Sequence, residues 1–285
     1  MITCHNQKIF IMKKILVPTD FSKPAEYALK VAAQLAKENN SEIHMLHMVE
    51  LPMHQIIATS NFSELPEAVF FMKIAHQKYK EALDKDYLDD LDIYENIKFN
   101  ETHEGISSYC SENDIDLIIM GSHGTSGIKE MFIGSNTEKV VRTSQTPVLV
   151  IKNDHEEFKV NNFVFASDFN KDSKKTYRQA VKFAKVWGAK LHLLLVNTAG
   201  NFITTQEAEK AMNDFIMDTH YKKRTFNIYN DLSVEKGVLN FSKTVEADLI
   251  GISTHGRQGI AHFFNGSISE DLVNHAKRPV ITFKI

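Results

Sequence analysis

The residues whose types and spacing best suit chemistry lie between positions 121 and 135. Gly121-Ser122-His123-Gly124 is followed, after nine residues, by Gly134-Ser135. The first glycine comes directly after the apolar run Leu117–Met120, and Ser135 opens a segment of helical spacing. Such an arrangement suits a phosphate. Glycine lets main-chain N–H groups approach an oxyanion closely. A helix start adds unpaired N–H groups and the positive end of the dipole. Ser135 supplies a hydroxyl that can donate or cap. Each charge-assisted contact of this kind contributes about 1.5–3 kcal/mol. Glycines after a strand also make ordinary tight turns, so the weight rests on the full spacing between strand and helix. His123 and Lys129 lie in this stretch, and each also reads as a plain loop residue.

Other chemistries find less support. The motifs GxGxxG and GxxxxGK[ST] are absent, and the segment after the first strand, Pro18-Thr19-Asp20-Phe21-Ser22, lacks the glycines of a pyrophosphatase loop. The 13 histidines include no HExxH and no H-x3-H with a third ligand. His44 and His192 occupy equivalent strand positions, which favours a structural role over a metal. Asp114, Asp116, Asp89, Asp90 and Asp92 read as solvated helix-end and loop acids. Cys110 reads as a small buried apolar group. No nucleophile–base pair is legible from spacing, which disfavours efficient phosphoryl transfer.

The elements that must position the loop occur twice. Ile15–Phe21 (ILVPTDF) matches Phe163–Phe169 (FVFASDF) at an offset of 148, which also aligns Ala32, Ala36 and His44 with Ala180, Ala184 and His192. Towards the end of each half the offset is 132: Asp116-Leu117-Ile118 matches Asp248-Leu249-Ile250, and Gly134-Ser135 matches Gly266-Ser267. The first half therefore carries 16 more residues in its middle. In the first half strands are expected at Ile15–Val17, Ile43–Val49, Ile97–Glu101, Leu117–Met120 and Val148–Ile151. Helices are expected from Ser22 to about Glu38, over Pro66–Asp90, over Gly105–Glu112 and over Ser135–Thr143. Near-continuous apolar strands alternating with helices predict a parallel sheet buried on both faces. The fold class is α/β: two tandem domains, each a five-stranded parallel sheet flanked by helices. Their expected bounds are 13–152 and 163–285, with 1–12 an N-terminal extension and the polar stretch 153–162 a linker. The second copy keeps His255, Gly256, Gly266 and Ser267, but Ser253 stands in place of the first glycine. A Cβ there is expected to obstruct the backbone or a ligand, leaving a degenerate site.

Composition bounds the function. The 285 residues are 43% hydrophobic and 24% charged, with a net charge of −3. That balance gives no electrostatic case for nucleic acid or an anionic membrane. No stretch approaches the roughly 18–20 apolar residues of a membrane helix, and Met1–Lys14 lacks a signal-peptide core. Two cysteines suit a reducing cytoplasm.

Over both halves the chain resembles the universal stress protein family. Gly121, Gly124, Gly134 and Ser135 fit that family's ATP signature G-x2-G-x9-G-[ST], and Pro18–Ser22 and Pro147–Val150 are also similar. The resemblance implies Rossmann-like domains of the adenine nucleotide alpha hydrolase type. It places Thr19 and Asp20 against the adenosine and Met48 near the adenine. The loop with His123, and Ser135 with Asn136, would hold ribose and phosphates. In the second copy the corresponding residues are Asp168, Val196, Gly256, Gly266 and Ser267. The implied ligand is ATP, or AMP or ADP, with Mg2+ accompanying the phosphates. The implied role is a cytoplasmic, nucleotide-binding stress-response regulator; a slow ATP hydrolase and a nucleotide-free scaffold are the alternatives. Family members pair through their last strands, so the two halves are expected to form a pseudo-dimer, with a homodimer left open.

Overall fold

The computed structural model describes residues 12–49, 66–99, 101–122, 134–216, 219, 221–254 and 272–285. In the first half, β1 (Lys14–Pro18), β2 (Glu42–Val49), β3 (Ile93–Phe99), β4 (Leu117–Gly121) and β5 (Val148–Ile151) alternate with α1 (Lys23–Asn39), α2 (Pro66–Leu83), α3 (Thr102–Asn113) and α4 (Ser135–Thr143). The second half contributes β6 (Asn162–Ala166), α5 (Lys174–Val186), β7 (Lys190–Asn197), α6 (Thr205–Ile216), β8 (Arg224–Asn230), α7 (Val234–Thr244), β9 (Leu249–Thr254) and β10 (Val280–Lys284), with a helical turn at 272–275.

All ten strands form one sheet, in the order β3-β2-β1-β4-β5-β10-β9-β6-β7-β8. Pairing is parallel within each half. The halves meet at β5 and β10, which pair antiparallel with Ile281 opposite Leu149. The expected pseudo-dimer through the last strands is therefore present within one chain. A reciprocal pair of bonds flanks the seam. Lys152 Nζ donates to the Asn274 carbonyl at 2.6 Å and Lys284 Nζ donates to the Arg142 carbonyl at 2.6 Å. Both lysines and both carbonyls are related by the offset of 132, as in a two-fold contact between separate subunits.

Side-chain alternation along the strands splits the interior into two layers. Ile15, Val17, Ile43 and Met45 face α1 and α2 and join Phe163, Phe165 and Tyr177. Leu16, Leu46 and Ile118 face α3 and α4 and join Val164, Ile250 and Phe241. The two equivalent histidines are buried and bonded within the core: His44 Nδ1 pairs with the Tyr109 hydroxyl at 2.7 Å, and His192 with Thr225 Oγ1 at 3.0 Å. Cys110 is buried, and burial pushes its thiol up to about 12.

Several details differ from the sequence reading, among them a third helix that starts at Thr102 rather than Gly105. The second helix ends at Leu83 rather than Asp90, and a 3-10 turn over Asp86–Leu88 follows. Acids crowd that end, which opposes the helix dipole, while the turn still buries Leu88. Strand β3 starts at Ile93, four residues earlier than expected, because exposed Glu95 on this edge strand hides its alternation. Asp116 is more than a solvated acid: its Oδ2 accepts from the N–H groups of Lys13 (2.7 Å) and Lys14 (3.1 Å), as Asp248 Oδ2 does from Asn161 and Asn162. Finally, the packed chain includes Met12, fully buried, with its carbonyl accepting from Ser41 Oγ at 2.6 Å; the remainder of the expected extension, 1–11, lies outside the described residues. The stretch between β5 and β6 is polar in composition yet docked. Phe158 and Val160 are buried, and Phe158 exchanges two main-chain hydrogen bonds with the Gln34 side chain.

Candidate functional site

Strand order reverses direction between β1 and β4, the topological switch point beyond which open α/β sheets bind ligands. Thr19 and Asp20 leave β1 at this point, Met48 lies near the end of β2, Gly121 ends β4, and Gly134 to Asn136 start α4. The topology thus gathers seven of the nine residues expected for the first site at one edge of the sheet; His123 and Gly124 lie outside the described residues.

Local hydrogen bonds shape the β1–α1 loop. Thr19 N–H donates to the Leu46 carbonyl at 2.9 Å. Thr19 Oγ1 accepts from Phe21 N–H at 3.0 Å and Asp20 Oδ1 from Ser22 N–H at 3.0 Å. These successive side-chain turns hold Phe21 in the left-handed region at φ 63°. Its ring lies 4.8 Å from that of His47 and 5.0 Å from that of Tyr79. Sequence reasoning missed His47. Its Nδ1 carries the proton, because it donates to the Thr19 carbonyl at 2.8 Å, and burial lowers its pKa. The neighbouring Met48 and the replacement of His47 by Leu195 in the second copy were the signal available.

The glycine loop is closed at its neck: Gly134 N–H donates to the Ser122 carbonyl at 2.7 Å, and Ser122 N–H to that of Ile151 at 3.0 Å. Thr137 Oγ1 donates to the Gly121 carbonyl at 3.0 Å, tying α4 to the end of β4. Gly134 is the N-cap of α4 and brings no side-chain cap, while Ser135 and Asn136 stand exposed in the first turn. That helix start presents main-chain donors to an anion.

Gly121 is a glycine for a reason the sequence did not reveal. A Cβ there would lie 2.5 Å from the Pro24 carbonyl carbon at the start of α1. The requirement comes from helix packing. At the equivalent place in the second copy, Ser253 is buried and its Oγ pairs with Thr176 Oγ1 at 2.7 Å. Thr176 replaces Ala28, and a 3-10 turn over Lys171–Ser173 precedes α5, where α1 starts directly. The expected obstruction of the backbone by this Cβ does not arise: Ser253 is accommodated by a matched change in the helix.

Of the expected second-site residues, Asp168 and Val196 are described, whereas Gly256, Gly266 and Ser267 lie outside the described residues. Asp168 is bound up in its own loop. Its Oδ1 accepts from Asn170 N–H (3.1 Å) and Ser173 Oγ (2.9 Å), and its Oδ2 from Asn170 Nδ2 (2.7 Å). Val196 is buried against Gly237, where an added Cβ would come within 2.4 Å of Val196 Cγ1.

A parallel sheet of order 3-2-1-4-5, covered on both faces and opening at β1/β4, defines a Rossmann-like α/β class. Comparison with known proteins gives the family. The universal stress protein family model matches residues 12–152 and 231–284, and the chain belongs to that family. A universal stress protein of Methanocaldococcus jannaschii is 34% identical over 155 residues, covering 49% of this chain and 94% of its own. One from Synechocystis sp. is 24% identical over 296 residues, covering 96% of this chain and all of its own. Among solved structures, a universal stress protein from Archaeoglobus fulgidus superposes with a TM-score of 0.70 at 21% identity, covering 96% of each chain.

Proposed function

We propose that this protein is an adenine-nucleotide-binding regulatory module, with ATP, or AMP or ADP, held in the crevice of its first half. One observation carries the reading: the uncapped start of α4, with Ser135 and Asn136 exposed, faces the same sheet edge as Gly121 and the Thr19–Asp20 turn. Phosphate there needs main-chain donors rather than lysines, which agrees with a net charge of −3. Thr19 and Asp20 would meet the adenosine and Met48 the adenine, and the loop with His123 and Gly124 would close over the phosphates. Mg2+ would arrive with the phosphates, as their counter-ion. The second site, which has Ser253 in place of the first glycine of the motif, is proposed to be degenerate. Among the described residues no helix is long and apolar enough to cross a membrane; we place the protein in the cytoplasm, acting through what its nucleotide state lets it contact.

The test is to release and identify any nucleotide carried by the purified chain, then to titrate stripped protein with ATP calorimetrically. Binding that is lost in the Ser135→Ala/Asn136→Ala double variant supports the reading. No adenine nucleotide bound at millimolar concentration defeats it. ATP turnover well above about 1 s⁻¹ would make the protein an enzyme instead.

A further inference from the structure

We propose that the first half carries a second small-molecule site, on the sheet face opposite α4, for a zwitterion with an apolar body of the apolar α-amino-acid class. A cavity of about 310 Å³ lies between α1 and α2 at the end of β1. Its floor is apolar, formed by Ala25, Leu29 and Met45, and Phe21 and Ala82 wall it. At roughly 300–1,000 Å³ for ligand pockets generally, this volume suits a compact molecule.

The rim carries both signs. Lys78 and Lys85 stand on α2, opposed by Asp20, Glu26 and Glu81. Lys85 Nζ is 3.9 Å from Glu26 Oε1, Lys78 Nζ sits 5.6 Å from the centre of the Phe21 ring, and Glu81 Oε1 accepts from the Gln77 amide. Lys78, Glu81 and Lys85 are exposed, where such contacts are weak and exchange readily. A lone cation would face two ammonium groups, and a lone anion three carboxylates. A molecule bearing both charges finds a partner for each, while its apolar body covers the part-exposed faces of Phe21 and Ala82.

The second half shows that the fold does not require this hollow. At the offset of 148, Tyr177 stands in place of Leu29. It is 1% exposed and packs against Phe215, with ring centres 5.2 Å apart, and Phe215 in turn meets Phe169 edge-on at 5.2 Å. The same chain thus contains a filled version of the same place. The first half keeps small side chains there, Leu29 and Ala82, beneath a charged rim.

The site borders the glycine-loop crevice through shared residues. Thr19 and Asp20 line the cavity and also form the β1–α1 turn. A ligand pressing on Phe21, whose left-handed backbone depends on Thr19 Oγ1, biases that turn; this coupling rests on the nucleotide reading above.

The experiment titrates nucleotide-stripped full-length protein with L-leucine, by calorimetry and by NMR. Saturable binding is expected, weakened at least about tenfold in Leu29→Tyr and again in Lys78→Ala, which leaves the interior untouched. Isopentylamine and 4-methylpentanoate, each lacking one charge, are expected to bind more weakly than leucine. No saturable binding by wild-type protein at about 10 mM overturns the proposal, as does unchanged binding in both variants. If a melt shows that Leu29→Tyr does not fold, Lys78→Ala decides alone. Leucine binding without ATP binding would defeat the nucleotide reading and leave this site standing; ATP binding without leucine binding would do the reverse.

Discussion

The two halves of this protein share a strand order and a motif, yet they use the end of their first strands differently. In the first, Asp20 Oδ1 accepts Ser22 N–H among its contacts, Gly121 lies bare against Pro24, and Leu29 leaves a cavity below. In the second, Asp168 is held by three donors, Ser253 is bonded to Thr176, and Tyr177 fills the space. Duplication preserved the scaffold, including the Phe21 and Phe169 left-handed turns at φ 63° and 56°. The second copy is joined to the first through β5 and β10. Loss of one glycine would have been a poor guide alone, because its replacement came with Thr176 in place of Ala28 and a 3-10 turn over Lys171–Ser173 before the helix.

The sharpest break in that comparison is Gly121→Val. Its Cβ would enter the start of α1, so we expect a loss of about 3 kcal/mol of stability in urea unfolding, together with loss of nucleotide. The corresponding Ser253→Ala removes one hydroxyl pair while Thr176 keeps the Ser173 carbonyl (2.7 Å); a cost of about 1 kcal/mol is expected from the same measurement. Equal costs at the two sites would contradict the packing argument.

The seam between the halves comes next. Lys152 is desolvated enough that its pKa falls to about 8, and Lys284 is lowered for the same reason. Replacing either with Met removes a part-buried hydrogen bond to a main-chain carbonyl and should cost about 1 kcal/mol. Similar costs from both, read by thermal unfolding, would support the two-fold character of the contact; one silent variant would argue against it.

A smaller effect concerns pH. Burial lowers the pKa of His44, His47, His155 and His192 below the ordinary histidine value near 6.5. Between their folded values and about 6.5 the unfolded chain binds more protons, so stability rises with pH across this window and falls on acidification. His47→Leu, which copies the second half, should flatten the slope. An unchanged slope of unfolding free energy against pH in this variant would remove His47 from the account.

The fold was largely legible because the duplication is written in plain periodicity. Ile15–Val17, Leu117–Met120 and their counterparts are apolar enough to fix buried strands, and the constant offsets fix which elements correspond. Element ends were less legible: exposed Tyr94 and Glu95 disguise the start of β3, and Phe158 and Val160 hide in a polar stretch. At the site, the spacing of Gly121, Gly134 and Ser135 revealed position but not cause. That Gly121 answers to Pro24, and that His47 holds the Thr19 carbonyl, are contacts between elements remote in sequence, which no local pattern encodes.

The claim that the two halves have diverged into one binding crevice and one support is tested most directly by the number of nucleotides bound per chain. Calorimetric titration of stripped protein with ATP should give one site per chain, abolished in Asp20→Ala and retained in Asp168→Ala. Two equivalent sites, or a single site lost in Asp168→Ala and kept in Asp20→Ala, would contradict it.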